Sequence, residues 1–311
     1  MLAAALLALA LALPTARAAP VTGLWVEKAW LRDGKTAEET YLFAAEVRDR
    51  RIDYLFARLG PAGADGTLPH FDRRAARRWI ESMKELSPGL KVLVWTGGVN
   101  RAELARGTLR LDEPAARAKL VSAAAAAVRD AGFDGVHLNI EPVQSGDPYL
   151  PLLLAELRAE LPPWKLVSYA AQKLRPWWMP GLRALRSRYW TLDYLQEIAP
   201  LVDQLAVMMY DTALPSRGSY QRAIVRNTDA FLSLQDPVSG LPEVLIGVPT
   251  YAEPSWYHRP RVENIAVSLG TLARLRKRIP AGRRWGVCLY GRWTTDDAQW
   301  GTYRRLWLSR S

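Results

Sequence analysis

The sequence predicts an α/β protein that folds as a single (β/α)8 TIM barrel. Eight segments with the hydrophobic pattern of strands follow one another along the 311 residues, and amphipathic helical segments separate them. A strand, a helix and a parallel strand form a right-handed crossover unit, and eight such units suit a closed barrel of this length. We therefore expect one barrel domain over residues 19–311, after a leader at residues 1–18.

The predicted strands are short, apolar and bounded by turn-forming residues. They are GLWVEKAW (23–30), IDYLFARLG (52–60), LKVLVWTGG (90–98), GVHLNIEP (135–142), KLVSYAAQK (165–173), QLAVMMYD (204–211), EVLIGVPTY (243–251) and RWGVCLYG (284–291). The structural alternative is an open, doubly wound sheet. That fold normally carries a glycine-rich phosphate loop after its first strand, and GLWVEKAW leads into none.

Helical segments lie between these strands. The clearest are residues 75–86, 112–132 and 294–308. In the second of them, Asp112 is the expected N-cap, Pro114 suits the first turn and Gly132 is a stop signal. Trp79 and Trp307 fall inside helical segments, so we expect both to pack between helix and sheet.

The first 18 residues have the pattern of a signal peptide. An apolar run is followed by Ala16, Arg17 and Ala18, which form a small-x-small cleavage site. No Lys or Arg precedes the run, which is unusual for such a signal. The run is short for a membrane span. We expect cleavage after Ala18 and an exported protein, periplasmic or extracellular, without a membrane span.

The chain carries a formal net charge of +11, but its basic residues are scattered along the helical segments. Only residues 48–51 and 72–78 approach clusters, and no nucleic-acid-binding motif is present. We therefore expect no nucleic-acid partner. Anionic cell-wall polymers are the plausible polyanion for an exported protein of this charge. The sequence does not indicate an oligomeric state.

Cysteine and histidine usage argues against disulfide or metal chemistry. The single cysteine, Cys288, excludes an intramolecular disulfide and lies in an apolar strand segment. His137, Asn139 and Glu141 share a strand face that could hold a metal, but the chain has only three histidines and shows no second ligand cluster. We predict neither a metal nor a cofactor.

The fourth predicted strand has two different faces. Gly135, His137, Asn139 and Glu141 share one face, and Val136, Leu138 and Ile140 share the other, because side chains alternate along a strand. An antiparallel sheet with one solvated face would also give this pattern. In a barrel, the apolar face packs on helices and the polar face ends in the active site at the C-terminal end of the strand.

Polar and aromatic residues gather at the C-terminal ends of the predicted strands. The polar set is Asn139, Glu141, Gln172, Lys173, Tyr210, Asp211, Tyr251 and Glu253. The aromatic set is Trp95, Trp177, Trp178, Trp256, Tyr257, Tyr290 and Trp293. Flat aromatic faces suit the apolar face of a sugar ring. A carboxyl such as Glu141 in a partly desolvated strand mouth has a raised pKa, which suits the general acid of glycosidic bond cleavage.

Four segments together resemble glycoside hydrolase family 18, the chitinase-like family. DGVHLNIE (134–141) is similar to the strand-four signature Asp-Gly-x-Asp-x-Asp-x-Glu, with Glu141 at the acid position. VMMYD (207–211) resembles the strand-six Met-x-Tyr-Asp, IGVPTYA (246–252) the strand-seven Gly-x-Pro-x-Tyr, and KVLVWTGG (91–98) the strand-three segment that ends in Gly-Gly. The four occur in the family order and span most of the chain.

The resemblance implies a glycan substrate or ligand that contains N-acetylhexosamine, as in peptidoglycan or chitin. It implies that Glu141 protonates the leaving oxygen and later acts as the base, while the 2-acetamido group of the substrate attacks the anomeric carbon. Asn139 takes the orienting position, Tyr210 contacts the acetamide, and Asp211 lines the same subsite. The further expected substrate-binding residues are His137, Trp95, Gln172, Tyr251, Tyr290 and Trp293.

Two departures from the family signature bear on activity. His137 and Asn139 stand where the signature has its second and third aspartates. The Asn139 amide can accept a hydrogen bond from an acetamide N–H but offers no full negative charge. His137 could bond to Asn139 or become charged at mildly acid pH.

Other interpretations of the same residues stay open. One is a catalytically inactive, lectin-like barrel that binds sugars. Another is a glycosidase with a second protein carboxylate, for which Asp211 and Glu253 are the candidates. Glu141 could also be a structural ion-pairing carboxylate, and Tyr210 could simply pack in the barrel.

Overall fold

The structure is a computed structural model that describes residues 19–32, 34–102, 105–176 and 188–310. The eight main strands are β1 Val21–Val26, β2 Tyr54–Pro61, β3 Lys91–Val99, β4 Gly135–Glu141, β5 Leu166–Ala171, β6 Gln204–Val207, β7 Glu243–Pro249 and β8 Trp285–Tyr290. Each strand pairs in parallel with its sequence neighbours, and β8 pairs with β1. The barrel is therefore closed, as the sequence predicts. The predicted leader, Trp177 and Trp178 lie outside the described residues.

Helices connect the strands. They are α1 Ala29–Arg32, α2 Ala37–Asp49, α3 Arg73–Leu86, α4 Pro114–Ala131, α5 Tyr149–Glu160, α6 Leu192–Ile198, α7 Arg217–Ser233, α8 Ile265–Leu275 and α9 Asp297–Leu306. Short 3-10 helical turns lie at Ala199–Leu201, Arg292–Thr294 and Leu308–Arg310. Two small two-stranded sheets lie in the connections between the main elements. Within the described ranges, no helix is both long and apolar enough to cross a membrane.

Most predicted element ends differ from the structure, by up to four residues. The first strand stops at Val26, and the last two residues of its predicted span begin α1. The N-cap of α4 is Glu113 and not Asp112, and no side-chain hydrogen bond caps the helix. The Asp112 carboxylate accepts hydrogen bonds from the Arg110 guanidinium at 2.8 and 3.0 Å. The predicted helix stop is confirmed, since Gly132 adopts a left-handed φ of 79° at the C-cap of α4.

The core has two layers, as expected for a barrel. Between strands and helices lies the larger apolar cluster, which takes in the alternate β4 residues Val136, Leu138 and Ile140 together with Trp79 and Trp307. A second cluster fills the barrel interior: Trp25, Tyr54, Phe56, Leu93, Trp95, Ala206, Leu245 and Cys288. The predicted two-faced character of β4 is thus confirmed, and so is the burial of the single thiol.

One glycine controls how closely β3 approaches the strand that carries the polar signature. Gly97 pairs with Asn139 and has a φ of 146°, which side-chain-bearing residues rarely adopt. A Cβ atom at Gly97 would lie 1.9 Å from the carbonyl oxygen of Asn139. The Gly-Gly end of β3 therefore sets the backbone position of Asn139.

Candidate active site

A pocket of about 610 Å³ opens at the C-terminal ends of β4 to β8. It is lined by Asn139, Glu141, Pro142, Gln172, Lys173, Arg188, Met208, Tyr210, Asp211, Tyr251, Glu253, Tyr257 and Tyr290. Most of these residues end strands or follow them directly, because parallel strands in a barrel bring their carboxyl ends to one face. Seven of the ten predicted site residues line this pocket. The other three are His137, Trp95 and Trp293.

Glu141 is the last residue of β4 and has one well-defined partner. The Gln172 amide donates a 2.6 Å hydrogen bond to its Oε1 atom. Burial raises the pKa of the Glu141 carboxyl, although the positive charge of Lys173 and the Gln172 bond oppose the shift. A carboxyl with a raised pKa stays protonated to higher pH, so Glu141 can serve as a proton donor.

Two cations flank the carboxyl. Lys173 is only 5% exposed, and burial lowers the pKa of its ammonium while the negative charge of Glu141 opposes that shift. Arg188 also lines the pocket, and its guanidinium lies 3.8 Å from the ring centre of Tyr257. No signal in the sequence predicts Arg188 as a pocket residue. It lies on a connection without periodicity or motif, so only the folded chain brings it to the pocket.

Asn139 presents an acceptor in the pocket. It lies two residues before Glu141 on the same strand face. Its Oδ1 atom is buried and has no hydrogen-bond partner among the residues that the structure describes. Because a buried acceptor without a donor costs free energy, this atom is suited to receive an N–H group from a ligand.

Three phenol-bearing residues and a carboxylate form the opposite wall. The Tyr251 hydroxyl donates a 2.6 Å hydrogen bond to Asp211 Oδ1, and the rings of Tyr210 and Tyr251 meet edge to face. Tyr290 packs 5.0 Å from Tyr210, measured between ring centres. Burial raises the pKa of the Tyr210 hydroxyl well above its usual value, so this group remains a hydrogen-bond donor.

His137 lies beneath the pocket, not in it. Its side chain is fully buried and stacks on Phe56 at 3.9 Å between ring centres. Trp25 donates to its Nε2 atom at 3.0 Å, and its Nδ1 atom lies 2.8 Å from the Ser168 hydroxyl. Both ring nitrogens are therefore engaged within the protein, which leaves His137 a structural role in place of the expected contact with substrate.

The histidine belongs to a chain of hydrogen bonds across the barrel interior. The Ser168 hydroxyl donates to Gln204 Oε1 at 2.8 Å, and the Gln204 amide donates to Glu243 Oε2 at 3.0 Å. Burial lowers the pKa of His137 to about 3. The expectation that His137 bonds to Asn139 or becomes charged at mildly acid pH is therefore wrong, because its neutral ring is fixed by Trp25 and Ser168.

This low pKa has a measurable consequence for stability. A histidine whose pKa falls from 6.5 to about 3 on folding stabilises the native state fully above pH 6.5, and the contribution is lost as the pH falls toward 3. We expect the stability advantage of the parent chain over His137→Gln to shrink below pH 6.5, by at most about 1.4 kcal/mol per pH unit. Urea unfolding of both proteins from pH 7 to pH 4 measures it. A constant difference would contradict a neutral His137.

Two predicted aromatic contacts lie outside the pocket lining. Trp95 belongs to the interior cluster and is only 7% exposed. Trp293 stacks on Trp95 at 6.4 Å between ring centres, and packs edge to face on Tyr290, which lines the pocket. Trp293 is 41% exposed, so it could extend the aromatic surface beside the pocket, whereas Trp95 serves mainly as its support.

Comparison with known proteins gives one family match. Residues 50–258 match the sequence profile of Glycosyl hydrolases family 18. No curated protein sequence matches the chain.

Solved structures of similar fold include three from different organisms. A Group IV chitinase from Ostrinia furnacalis is 15% identical, with a TM-score of 0.62 over 93% of this chain and 100% of that one. A chitinase from Rhizomucor miehei is 17% identical, with a TM-score of 0.61 over 93% and 99%. The spore cortex-lytic enzyme SleL of Bacillus megaterium is 13% identical, with a TM-score of 0.61 over 94% and 75%. At these identities the likeness concerns the fold.

Proposed function

The chain belongs to glycoside hydrolase family 18, and from this premise we propose that it is an exported hydrolase of glycans that contain N-acetylhexosamine, of the chitin or peptidoglycan type. One observation carries the proposal. Glu141, a carboxyl with a raised pKa, lies on one strand face in one pocket with Asn139 Oδ1, a buried acceptor without a partner among the described residues. A proton donor beside an acceptor for an amide N–H is what acetamide-assisted cleavage requires.

The proposed reaction has two steps. Glu141 protonates the glycosidic oxygen while the carbonyl oxygen of the substrate acetamide attacks the anomeric carbon, so the glycosidic bond breaks and a cyclic oxazolinium forms. Asn139 Oδ1 accepts the acetamide N–H and holds the group in line, and the Tyr210 hydroxyl donates to the same acetamide. The Glu141 carboxylate then takes a proton from water, whose oxygen opens the ring. The carboxyl is regenerated protonated.

The pocket walls fit a sugar with this substituent. Tyr251 and Tyr290 offer aromatic surface, and Asp211, fixed by the Tyr251 hydroxyl, offers an acceptor for a sugar hydroxyl or amide. The proposed export rests on the apolar leader at residues 1–18, and an exported chain of net charge +11 would meet anionic cell-wall polymers.

A catalytically inactive, sugar-binding barrel is the second candidate, and Lys173 is the observation that favours it. Its positive charge beside Glu141 favours the carboxylate over the carboxylic acid, and Asn139 supplies no negative charge to offset an oxazolinium. Both effects would reduce turnover while leaving the pocket able to bind sugars.

The two candidates are separated by measuring turnover and binding together. The purified protein is incubated with chitin oligosaccharides and with muropeptides, new reducing ends are counted, and binding of the same oligosaccharides is measured by calorimetry. We expect release of reducing ends from at least one class. Binding without release would support the lectin-like candidate. The absence of both binding and release would contradict both candidates.

A further inference from the structure

Behind the pocket wall, Asp211 lies close to two buried residues, His258 and Glu263. His258 is 1% exposed and Glu263 is fully buried. His258 Nδ1 lies 3.4 Å from Glu263 Oε2 and 3.7 Å from Asp211 Oδ1. One ligand atom from each residue lies within 4.8 Å of the others. The expectation that the chain lacks a second group of metal-ligating residues is therefore not met.

Hydrogen bonding does not account for this cluster. Both ring nitrogens of His258 and the Oε2 atom of Glu263 are buried without a hydrogen-bond partner among the described residues. A charge-assisted hydrogen bond between an imidazole and a carboxylate is about 2.7 to 2.9 Å long, clearly shorter than the separations seen here. Buried polar atoms without partners are rare in native proteins, so this group calls for a physical explanation, and binding of an ion is one.

We propose that Asp211, His258 and Glu263 form a binding site for a divalent transition metal, with zinc as the fitting ion. Zinc bonds of about 2.0 to 2.1 Å in tetrahedral geometry place ligand atoms about 3.3 to 3.4 Å apart, close to the separations around His258 Nδ1. One imidazole and two carboxylates are a ligand set that zinc accepts, and they supply two negative charges for its two positive ones.

The surrounding contacts hold each ligand in place. The backbone N–H of Thr212 donates to Glu263 Oε1 at 3.0 Å, and the Thr212 hydroxyl donates to the same atom, which leaves Oε2 for the ion. The His258 ring packs on Tyr251 at 4.2 Å between ring centres. Asp211 has a left-handed φ of 53° and is held by the Tyr251 hydroxyl. Second contacts of this kind orient metal ligands.

The site opens on the glycan pocket through Asp211, whose side chain is 37% exposed. An ion can therefore reach it from the pocket, and a fourth ligand position would face that side. His258 and Glu263 both lie on the loop after β7. The same loop carries Glu253 and Tyr257 into the pocket lining. A bound ion would fix this loop to Asp211 whether or not the pocket hydrolyses glycans.

Binding of zinc to the chelator-treated full chain tests the proposal without any activity assay. We expect one equivalent of ZnCl2 to bind by calorimetry, and Co²⁺ to give the intense visible absorption of a four- or five-coordinate ion. His258→Gln and Glu263→Gln should each weaken zinc binding at least tenfold. Glu263→Gln keeps an oxygen for the Thr212 bonds and so preserves the fold. His70→Gln, at an exposed histidine, is the matched control and should bind as the parent does.

Several outcomes would overturn the site. One is absence of zinc binding by the parent chain, and another is the pale spectrum of six-coordinate, hydrated Co²⁺, a readout that needs no variant to fold. If His258→Gln and Glu263→Gln both bind zinc with the affinity of the parent chain, or if His70→Gln loses binding, zinc binds at the surface and not at this cluster. None of these results bears on proton transfer by Glu141 or on the acceptor role of Asn139, since neither residue is a proposed ligand.

Discussion

Replacement of Glu141 by glutamine is expected to lower kcat for glycan hydrolysis by about 10²- to 10⁴-fold, the usual contribution of a general acid. Glutamine keeps the size of the side chain but cannot donate a proton to the glycosidic oxygen at any accessible pH. Steady-state kinetics on the best oligosaccharide of the panel measure the loss. Calorimetric affinity for the same oligosaccharide should change little, because the side-chain volume is preserved.

The matched control for this variant is Glu81→Gln. Glu81 lies exposed on α3 and does not line the pocket, so its loss should leave kcat within about twofold of the parent. Full activity in Glu141→Gln would remove the carboxyl from the mechanism and leave Glu141 as a structural residue.

Replacement of Gly97 by alanine is expected to destabilise the barrel by more than about 3 kcal/mol and to abolish activity with it. The added Cβ atom would lie 1.9 Å from the Asn139 carbonyl oxygen, so β3 and β4 would have to separate where they position the site. The φ of 146° adds backbone strain for any residue with a side chain. Urea unfolding measures the loss of free energy.

Gly89→Ala separates the two contributions. Gly89 has a left-handed φ of 90° but nothing within 4 Å of its Cβ position. The Gly89→Ala change should therefore cost only about 1 to 2 kcal/mol, the strain of the backbone alone. If Gly97→Ala costs no more than Gly89→Ala, the close approach of β3 to β4 is not what the Gly-Gly end provides.

The fold could be predicted from the sequence because each β/α unit is locally encoded. The alternation of Val136, Leu138 and Ile140 with polar residues identifies the helix-facing side of β4 before any tertiary contact is known. Strand ends are encoded less clearly, since the charged and aromatic residues after Val26 suit either a strand or the start of α1.

The pocket could be predicted as far as strand ends define it. Glu141 and Tyr210 converge because barrel topology brings the ends of β4 and β6 together. The alternation of side chains along a strand does not show how deep each one lies in the barrel. His137 shares a face with Glu141 yet lies one layer below the pocket. Arg188 and His258 could not be found, because they lie on loops whose paths no periodic pattern encodes.

The most direct test of acetamide-assisted hydrolysis compares two oligosaccharides that differ only in the N-acetyl group at the cleaved sugar. The parent chain should hydrolyse the acetylated substrate and should lose at least about 10²-fold in kcat on the free amine, because the amine cannot act as the internal nucleophile. Asn139→Ala should slow only the acetylated substrate. Equal rates on both substrates would contradict acetamide-assisted hydrolysis and would point to a protein carboxylate, Asp211 or Glu253, as the nucleophile.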